Sequence, residues 1–173
     1  MTYFLDFDRT LFDTDAFVAH LERHPVHAEL LQSAPEESVS AELDRLVREE
    51  GLVFTSDDLK PFVYADVPEF LRMLGNEAII LTFGNPALQR MKISHALSGI
   101  PRLSVLYTDT VRKGVYLKER IAAYGAATVV DDRAVELEDL ARECPGARLF
   151  EMRRDGGKGD GRWAVVHSLN ELP

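Results

Sequence analysis

Two aspartates stand one residue apart directly after the first apolar run of the chain. Phe4 and Leu5 predict a buried strand, and Asp6 and Asp8 follow it. Burial of one carboxylate at a strand end costs free energy, and burial of two neighbouring carboxylates costs more. Calcium loops also contain such pairs, but they carry further spaced acids with Gly or Asn. The pair therefore predicts a divalent cation site in which one carboxylate is free to act as a nucleophile.

Three further polar groups lie at the ends of strand patterns or at the start of a helical pattern. Thr82 ends an apolar run over residues 78–81, and Lys113 begins a helical pattern. Asp131 and Asp132 follow a third apolar run. Because an open parallel sheet binds its ligands at the carboxyl ends of its strands, we expect these groups to meet there.

These four segments, in this order, resemble the motifs of the haloacid dehalogenase (HAD) superfamily. The segment Asp6-Phe7-Asp8-Arg9-Thr10-Leu11 resembles the first motif, Asp-x-Asp-x-Thr-Leu/Val. Thr82, Lys113 and the pair Asp131-Asp132 resemble the other three, and the resemblance covers nearly the whole chain outside residues 14–66. It implies a Rossmann-like core formed by residues 1–13 and 67–173.

The order of the elements predicts an α/β fold with a parallel sheet and helices on both faces. Helical patterns separate most of the strand patterns, and this alternation is typical of such sheets. The predicted strands are residues 2–7, 78–83, 103–107, 127–131, 147–151 and 163–167.

Residues 14–66 interrupt this alternation with helical periodicity and little strand signal. The predicted helices cover residues 16–21 and 39–50, and a third begins near Thr55; a polar connector spans residues 33–38. A helical insertion directly after the first motif resembles the α-helical cap of the HAD superfamily in its first insertion position, here in a small form.

The chemistry of the first motif assigns different roles to its two aspartates. Attack of Asp6 on phosphorus would give an aspartyl-phosphate that water then hydrolyses. Asp8 would protonate the leaving alcohol and later deprotonate the water. The Lys113 ammonium would bind the phosphoryl group; Lys118, one helix turn later, is a less favoured alternative.

The phosphoryl oxygens have further expected donors. These are the hydroxyl of Thr82 and the backbone N–H groups of Phe83 and Gly84. The resemblance also implies Mg²⁺ bound by the Asp6 side chain, the backbone carbonyl of Asp8 and the Asp132 side chain.

Three positions near the expected site have open roles. Asp131 would orient Lys113 or a ligand group, or replace Asp132 as the direct ligand. Glu136 has the spacing of a further acid of the superfamily, but its longer side chain is less suited to direct ligation. Arg9 stands where the superfamily often has Gly; it would meet an acidic substrate or point to the surface.

The Gly-rich, charged segment Arg153–Arg162 is not a P-loop, because it lacks the Gly-Lys-Ser/Thr ending. Its composition is typical of a mobile loop, and the alternative is a basic flap that contacts substrate.

Composition limits the class of protein. The 173 residues fit one domain with a small inserted module, and the net charge of −9 comes without a basic patch for nucleic acid. A single cysteine, Cys144, excludes a disulfide framework within the chain. No apolar run is long enough to predict a membrane span, and acids near the N-terminus do not fit a signal peptide, so we expect a cytoplasmic protein.

Taken together, the residues and the resemblance predict a Mg²⁺-dependent phosphatase that acts on a small phosphorylated metabolite. A phosphomutase needs the same motifs, and a non-catalytic phosphate-binding or regulatory module on the same fold is a further alternative. Dehalogenation is disfavoured because a halide leaves without a proton, whereas Asp8 is retained. Substrate identity and oligomeric state are not predicted.

Overall fold

The computed structural model describes residues 1–23, 39–110 and 112–173, and it contains a six-stranded parallel sheet. The strand order is β3-β2-β1-β4-β5-β6. The six predicted strands are confirmed, with ends displaced by at most two residues. Their bounds are β1 Thr2–Leu5, β2 Ala78–Phe83, β3 Ser104–Thr108, β4 Ala127–Asp131, β5 Arg148–Met152 and β6 Ala164–Val166.

The predicted helices on both faces are confirmed. Strand β1 lies at the centre, and its alternate residues contribute to two hydrophobic clusters: Leu5 to one and Phe4 to the other. The helices are α1 Thr14–Arg23, α2 Val39–Glu49, α3 Ser56–Leu59, α4 Val67–Leu74, α5 Pro86–Ala96, α6 Lys113–Ile121 and α7 Ala134–Glu143. Helices α4 and α5 pack in the cluster of Leu5, and α6 and α7 in the cluster of Phe4. Because alternate side chains of a strand point to opposite faces, the sheet is covered on both sides.

Helices α1 to α3 lie in the segment predicted to be a cap. Thr55 begins α3 as its N-cap, in a reciprocal capping box with Asp58. Buried side chains of these helices, including Phe17, Leu43 and Leu59, belong to the same hydrophobic cluster as Leu5. The described part of this segment therefore packs directly on the sheet and its helices. The predicted connector 33–38 lies outside the described residues.

A polar contact ties α2 to the start of α5. The Leu88 backbone N–H donates to the Asp44 carboxylate at 2.9 Å, and Asn85 donates to the Ser40 hydroxyl at 3.2 Å. Because the first N–H groups of a helix have no partner within the helix, Asp44 caps α5 from outside it. This contact holds α2 beside the loop that follows β2.

Arg154, at the start of the Gly-rich segment, makes structural contacts. Its guanidinium donates to the Thr10 carbonyl at 2.8 and 3.0 Å and to the Asp66 carboxylate at 2.8 Å. It also lies over the Tyr64 ring, 4.3 Å from the centroid. Arg154 thus joins the first motif to the start of α4.

None of the helices in the described ranges is long and apolar enough to cross a membrane.

Candidate active site

The carboxyl ends of the central strands bring the predicted acidic groups together. Asp6 follows β1, and Asp131 ends the neighbouring β4. Carboxylate oxygens of Asp6, Asp131 and Asp132 lie within 4.8 Å of one another. Asp6 and Asp131 are buried, and Asp132 is half-buried. The sheet order thus unites residues that are more than a hundred positions apart in the chain.

The Lys113 ammonium lies between two of these carboxylates. Its Nζ is 2.5 Å from Asp6 Oδ1 and 2.7 Å from Asp131 Oδ2. Burial alone would lower the pKa of Lys113, but the Asp131 and Asp6 carboxylates raise it well above its ordinary value. Lys118 lies elsewhere: its exposed ammonium pairs with Glu143 at 3.0 Å. Of the two candidate lysines, Lys113 is the one at the acidic cluster.

The start of α6 is built to place Lys113. The Asp139 carboxylate accepts from the Gly114 backbone N–H at 2.9 Å, and Glu136 accepts from the Lys113 backbone N–H at 3.3 Å. A Cβ atom at Gly114 would lie 2.5 Å from the Asp139 carbonyl oxygen, so only glycine fits there. Glu136 therefore binds the backbone of α6, and its carboxylate is not part of the acidic cluster.

The two members of the acidic pair differ in their surroundings. Asp131 accepts from Lys113 and from the Arg133 backbone N–H at 3.0 Å. No hydrogen bond reaches the Asp132 carboxylate from the residues that the structure describes. Burial, with a further contribution from Asp131, raises the pKa of Asp132 to about 6. Burial also raises the pKa of Asp6 well above its ordinary value, although Lys113 opposes the shift.

Crowded carboxylates of this kind fit a hard divalent cation, which binds oxygen ligands and relieves their repulsion. Asp6 and Asp132 have the donor atoms that Mg²⁺ prefers. Asp131 is occupied by Lys113, which fits a role as an orienting group. The residues present therefore fit the expected metal.

Asp8 is held by three side chains that the sequence did not identify. Thr14 Oγ1 and Gln89 Nε2 each lie 2.5 Å from one of its carboxylate oxygens, and the Lys92 ammonium donates to Oδ1. Burial would raise the pKa of Asp8, but Lys92, Thr14 and Gln89 together lower it below the ordinary value. The carboxylate is thus held ionised between α1 and α5.

Lys92 has a detectable signal in the sequence. Leu88, Lys92 and Ala96 are spaced four residues apart, which places the lysine on the buried stripe of α5. Its Nζ lies 5.3 Å from the Phe7 ring centroid and 5.0 Å from the Phe12 centroid. A basic residue on an apolar helical stripe therefore indicates a buried partner, here Asp8.

Thr82 has the free donor expected of a phosphoryl-binding residue. Its hydroxyl is buried and has no hydrogen-bond partner among the residues that the structure describes. Phe83 and Gly84, which follow, line the adjacent cavity. A Cβ at Gly84 would lie 2.7 Å from Gln89 Nε2, so glycine here leaves room for the amide that holds Asp8.

A cavity of about 610 Å³ opens over the acidic cluster, between the core and helices α1 and α2. Arg9 lies at this cavity, but its guanidinium donates to the Asp15 carboxylate at 2.7, 3.0 and 3.1 Å. Arg9 has a left-handed backbone, with φ of 58°, and half of its side chain is exposed. Arg9 thus borders the cavity and faces solvent, paired to an acid, and its contact with an acidic substrate stays a prediction.

No protein-family model matches the sequence, and the search of curated proteins found no match.

Solved structures do resemble this chain. The structure of the HAD-hydrolase YfnB from Bacillus subtilis, bound to magnesium, is 15% identical and has a TM-score of 0.63, with 99% of this chain and 96% of that chain covered. A dehalogenase structure is 17% identical with a TM-score of 0.65, and covers 99% of this chain and 94% of its own. A haloacid dehalogenase-like hydrolase from Burkholderia xenovorans LB400 is 19% identical with a TM-score of 0.57, and covers 88% of this chain and 83% of its own. The chain therefore has the fold of the HAD-like hydrolases.

Proposed function

We propose that this protein is a phosphatase of the HAD superfamily, dependent on Mg²⁺, that hydrolyses a small phosphorylated metabolite through an aspartyl-phosphate. The arrangement of Asp6, Lys113 and Asp131 at one end of the sheet carries the proposal. A buried carboxylate beside an ammonium, below a cavity, has the geometry of an activated nucleophile. The retained Asp8 favours an oxygen leaving group over a halide, because only the former needs a proton.

The metal would be held by the side chains of Asp6 and Asp132 and by the backbone carbonyl of Asp8. When bound, Mg²⁺ neutralises charge on the carboxylates and on the phosphoryl oxygens. Asp131 would orient Lys113. The HAD-like fold and the YfnB structure, which is bound to magnesium, support this choice of ion.

Asp6 attacks phosphorus, the bond to the leaving oxygen breaks, and protonated Asp8 gives its proton to the departing alcohol oxygen. Water then attacks the aspartyl-phosphate, loses a proton to Asp8, and releases phosphate with Asp6 restored. The lowered pKa of Asp8 keeps the carboxylate ionised, so it can accept this proton, although it also makes Asp8 a weaker base. The same ionised state is unfavourable for the first step, so esters with good leaving groups should react faster.

The phosphoryl oxygens would accept from the free hydroxyl of Thr82, from Lys113 and from the backbone N–H groups of Phe83 and Gly84. Residues 1–13 and 67–173 would form the catalytic core, and residues 14–66 the cap that encloses the substrate. The acidic net charge of −9 supports a small metabolite over nucleic acid as the partner.

A panel of phosphorylated metabolites, assayed for phosphate release with Mg²⁺ and with EDTA, tests the function. Asp6→Asn keeps the shape of the side chain and removes the attacking charge, so it should abolish turnover while the protein stays folded. Glu119→Gln, at an exposed position outside the cavity, is the matched control. Phosphate release that persists in Asp6→Asn would exclude the mechanism.

Two alternatives give different results in the same assay. A phosphomutase would return an isomeric phosphate ester with little free phosphate. A non-catalytic module would bind panel members without turnover.

A further inference from the structure

The outer part of the cavity is chemically unlike its floor. Asp6, Asp132 and Lys113 line its floor, where the phosphoryl group would bind. The wall contributed by α1, α2 and the start of α5 includes apolar residues beside polar and charged ones such as Asp15, Glu22 and Ser40; the apolar ones are Phe17, Val18, Ala19, Val39, Leu43 and Leu88. The alcohol part of a bound ester would therefore contact apolar side chains.

The basic side chains around this cavity are already paired. Arg9 pairs with Asp15 at 2.7 Å and Arg133 with Glu136 at 3.5 Å, while Lys92 pairs with Asp8. Lys113 lies between Asp6 and Asp131 on the floor. Among the residues that the structure describes, the cavity thus offers no unpaired cation to a second anionic group of the substrate.

Two acidic residues of α1, Asp15 and Glu22, line the cavity. Asp15 is paired with Arg9. Glu22 is exposed, lines the cavity, and has no hydrogen-bond or ion-pair partner among the described residues. A carboxylate at this position repels anions that approach the wall.

We propose that the enzyme selects phosphate monoesters of alcohols that have an apolar body and carry no second anionic group. The proposal rests on the phosphatase function argued above. An apolar ring or a neutral amide can pack against the half-buried side chains of Val18 and Val39. A carboxylate or second phosphate would lie near Glu22 without a free cation, so it would be rejected through like-charge repulsion and lost hydration.

Two aryl esters of nearly the same shape test this selection. The ester 4-carbamoylphenyl phosphate is neutral at the far end of the ring, and 4-carboxyphenyl phosphate is anionic there. We expect kcat/KM with Mg²⁺ to be at least about tenfold higher for the carbamoyl ester, which corresponds to about 1.4 kcal/mol. Added salt should reduce this ratio, because the outer cavity is open to solvent.

A charge reversal separates the effect of the protein from the intrinsic reactivity of the two esters. Glu22→Lys should lower the ratio of the two kcat/KM values severalfold. Glu119→Lys, which makes the same change of charge on α6 at an exposed site outside the cavity, should leave the ratio as it is.

An equal or reversed preference, or a ratio that Glu22→Lys does not move, would overturn the selection alone. Absence of phosphate release from both esters and from the whole metabolite panel would instead overturn the phosphatase function, and the selection with it.

Discussion

The ammonium of Lys92 on α5 lies against the carboxylate of Asp8 in the first motif, and both side chains are largely removed from water. Lys92 is 4% exposed and Asp8 25%. Removal of one partner from a buried pair leaves the other charge uncompensated, which costs more than loss of the whole pair. The contact therefore predicts that substitutions of Asp8 and Lys92 change the free energy of unfolding non-additively.

Lys92→Met should lower the free energy of unfolding by about 2–3 kcal/mol, somewhat less than for a fully buried pair because Asp8 is partly exposed. The double variant Asp8→Asn/Lys92→Met should recover part of this loss, because no uncompensated charge remains. Denaturant unfolding of the wild type, both single variants and the double variant measures the coupling. Additive losses would show that the pair is not coupled.

We expect the two members of the acidic pair at the end of β4 to have different roles: Asp132 is a metal ligand and Asp131 orients Lys113. Asp132→Asn should weaken Mg²⁺ binding more than Asp131→Asn, because only the Asp132 carboxylate is free of hydrogen bonds within the described chain. Asp131→Asn should act mainly on turnover, through loss of the charge that holds Lys113. Titration of activity with Mg²⁺, together with calorimetric binding, distinguishes the two. Equal or reversed effects on affinity would assign the ligand to Asp131.

Gly114 is expected to be intolerant of a side chain. In Gly114→Ala the new Cβ would meet the Asp139 carbonyl oxygen at 2.5 Å, which requires the start of α6 to move and Lys113 with it. We expect a loss of about 1–3 kcal/mol in stability and a larger fractional loss in kcat than a stability effect alone would produce.

The matched control is Gly146→Ala. Nothing lies within 4 Å of a Cβ built there, and the backbone is outside the left-handed region, so stability and activity should stay near wild type. Similar behaviour of the two variants would contradict the packing argument for Gly114.

The strands and the acidic groups were predictable because they depend on local patterns. Apolar runs that end in Asp6 or Asp131 predict buried strands with polar ends, and parallel sheets bring such ends together. The partners of Asp8 were not predicted, because Lys92 is more than eighty positions away and reaches it only after α5 packs on the sheet. A lone lysine in a helical pattern is usually solvated, and the buried stripe that it shares with Leu88 is the only local sign to the contrary.

The segment after β5 shows what amino-acid composition alone does not reveal. Its composition is typical of a mobile loop, and this is consistent with the irregular backbone from Arg153 to Arg162. Composition cannot indicate that Arg154 lies 10% exposed between the first motif and Asp66, since that contact depends on tertiary structure. A charged residue in a loop can thus hold two parts of the fold together.

The tie between Asp66 and Arg154 should make stability depend on pH. Burial would raise the pKa of Asp66, but Arg154, Ser168 and the Leu169 backbone N–H together hold it below the ordinary value. Their donor atoms lie 2.8, 2.8 and 2.7 Å from Asp66 Oδ2. Because the folded pKa is below the unfolded value of about 3.9, the contribution is complete above that value and is lost as pH falls through the folded pKa.

Asp66→Asn should therefore lower the free energy of unfolding by about 1–3 kcal/mol at pH 7, since the hydrogen bonds to Arg154 and Leu169 lose their charged acceptor. The difference from wild type should shrink as pH falls from 5 towards about 2, where Asp66 of the wild type is protonated as well. Asp109→Asn, at an exposed position whose side chain forms no hydrogen bond in the described structure, is the control and should show little difference at either pH. Thermal unfolding across this range gives the comparison. A difference between Asp66→Asn and wild type that stays constant down to pH 2 would mean that the charge of Asp66 does not stabilise the junction between the first motif and α4.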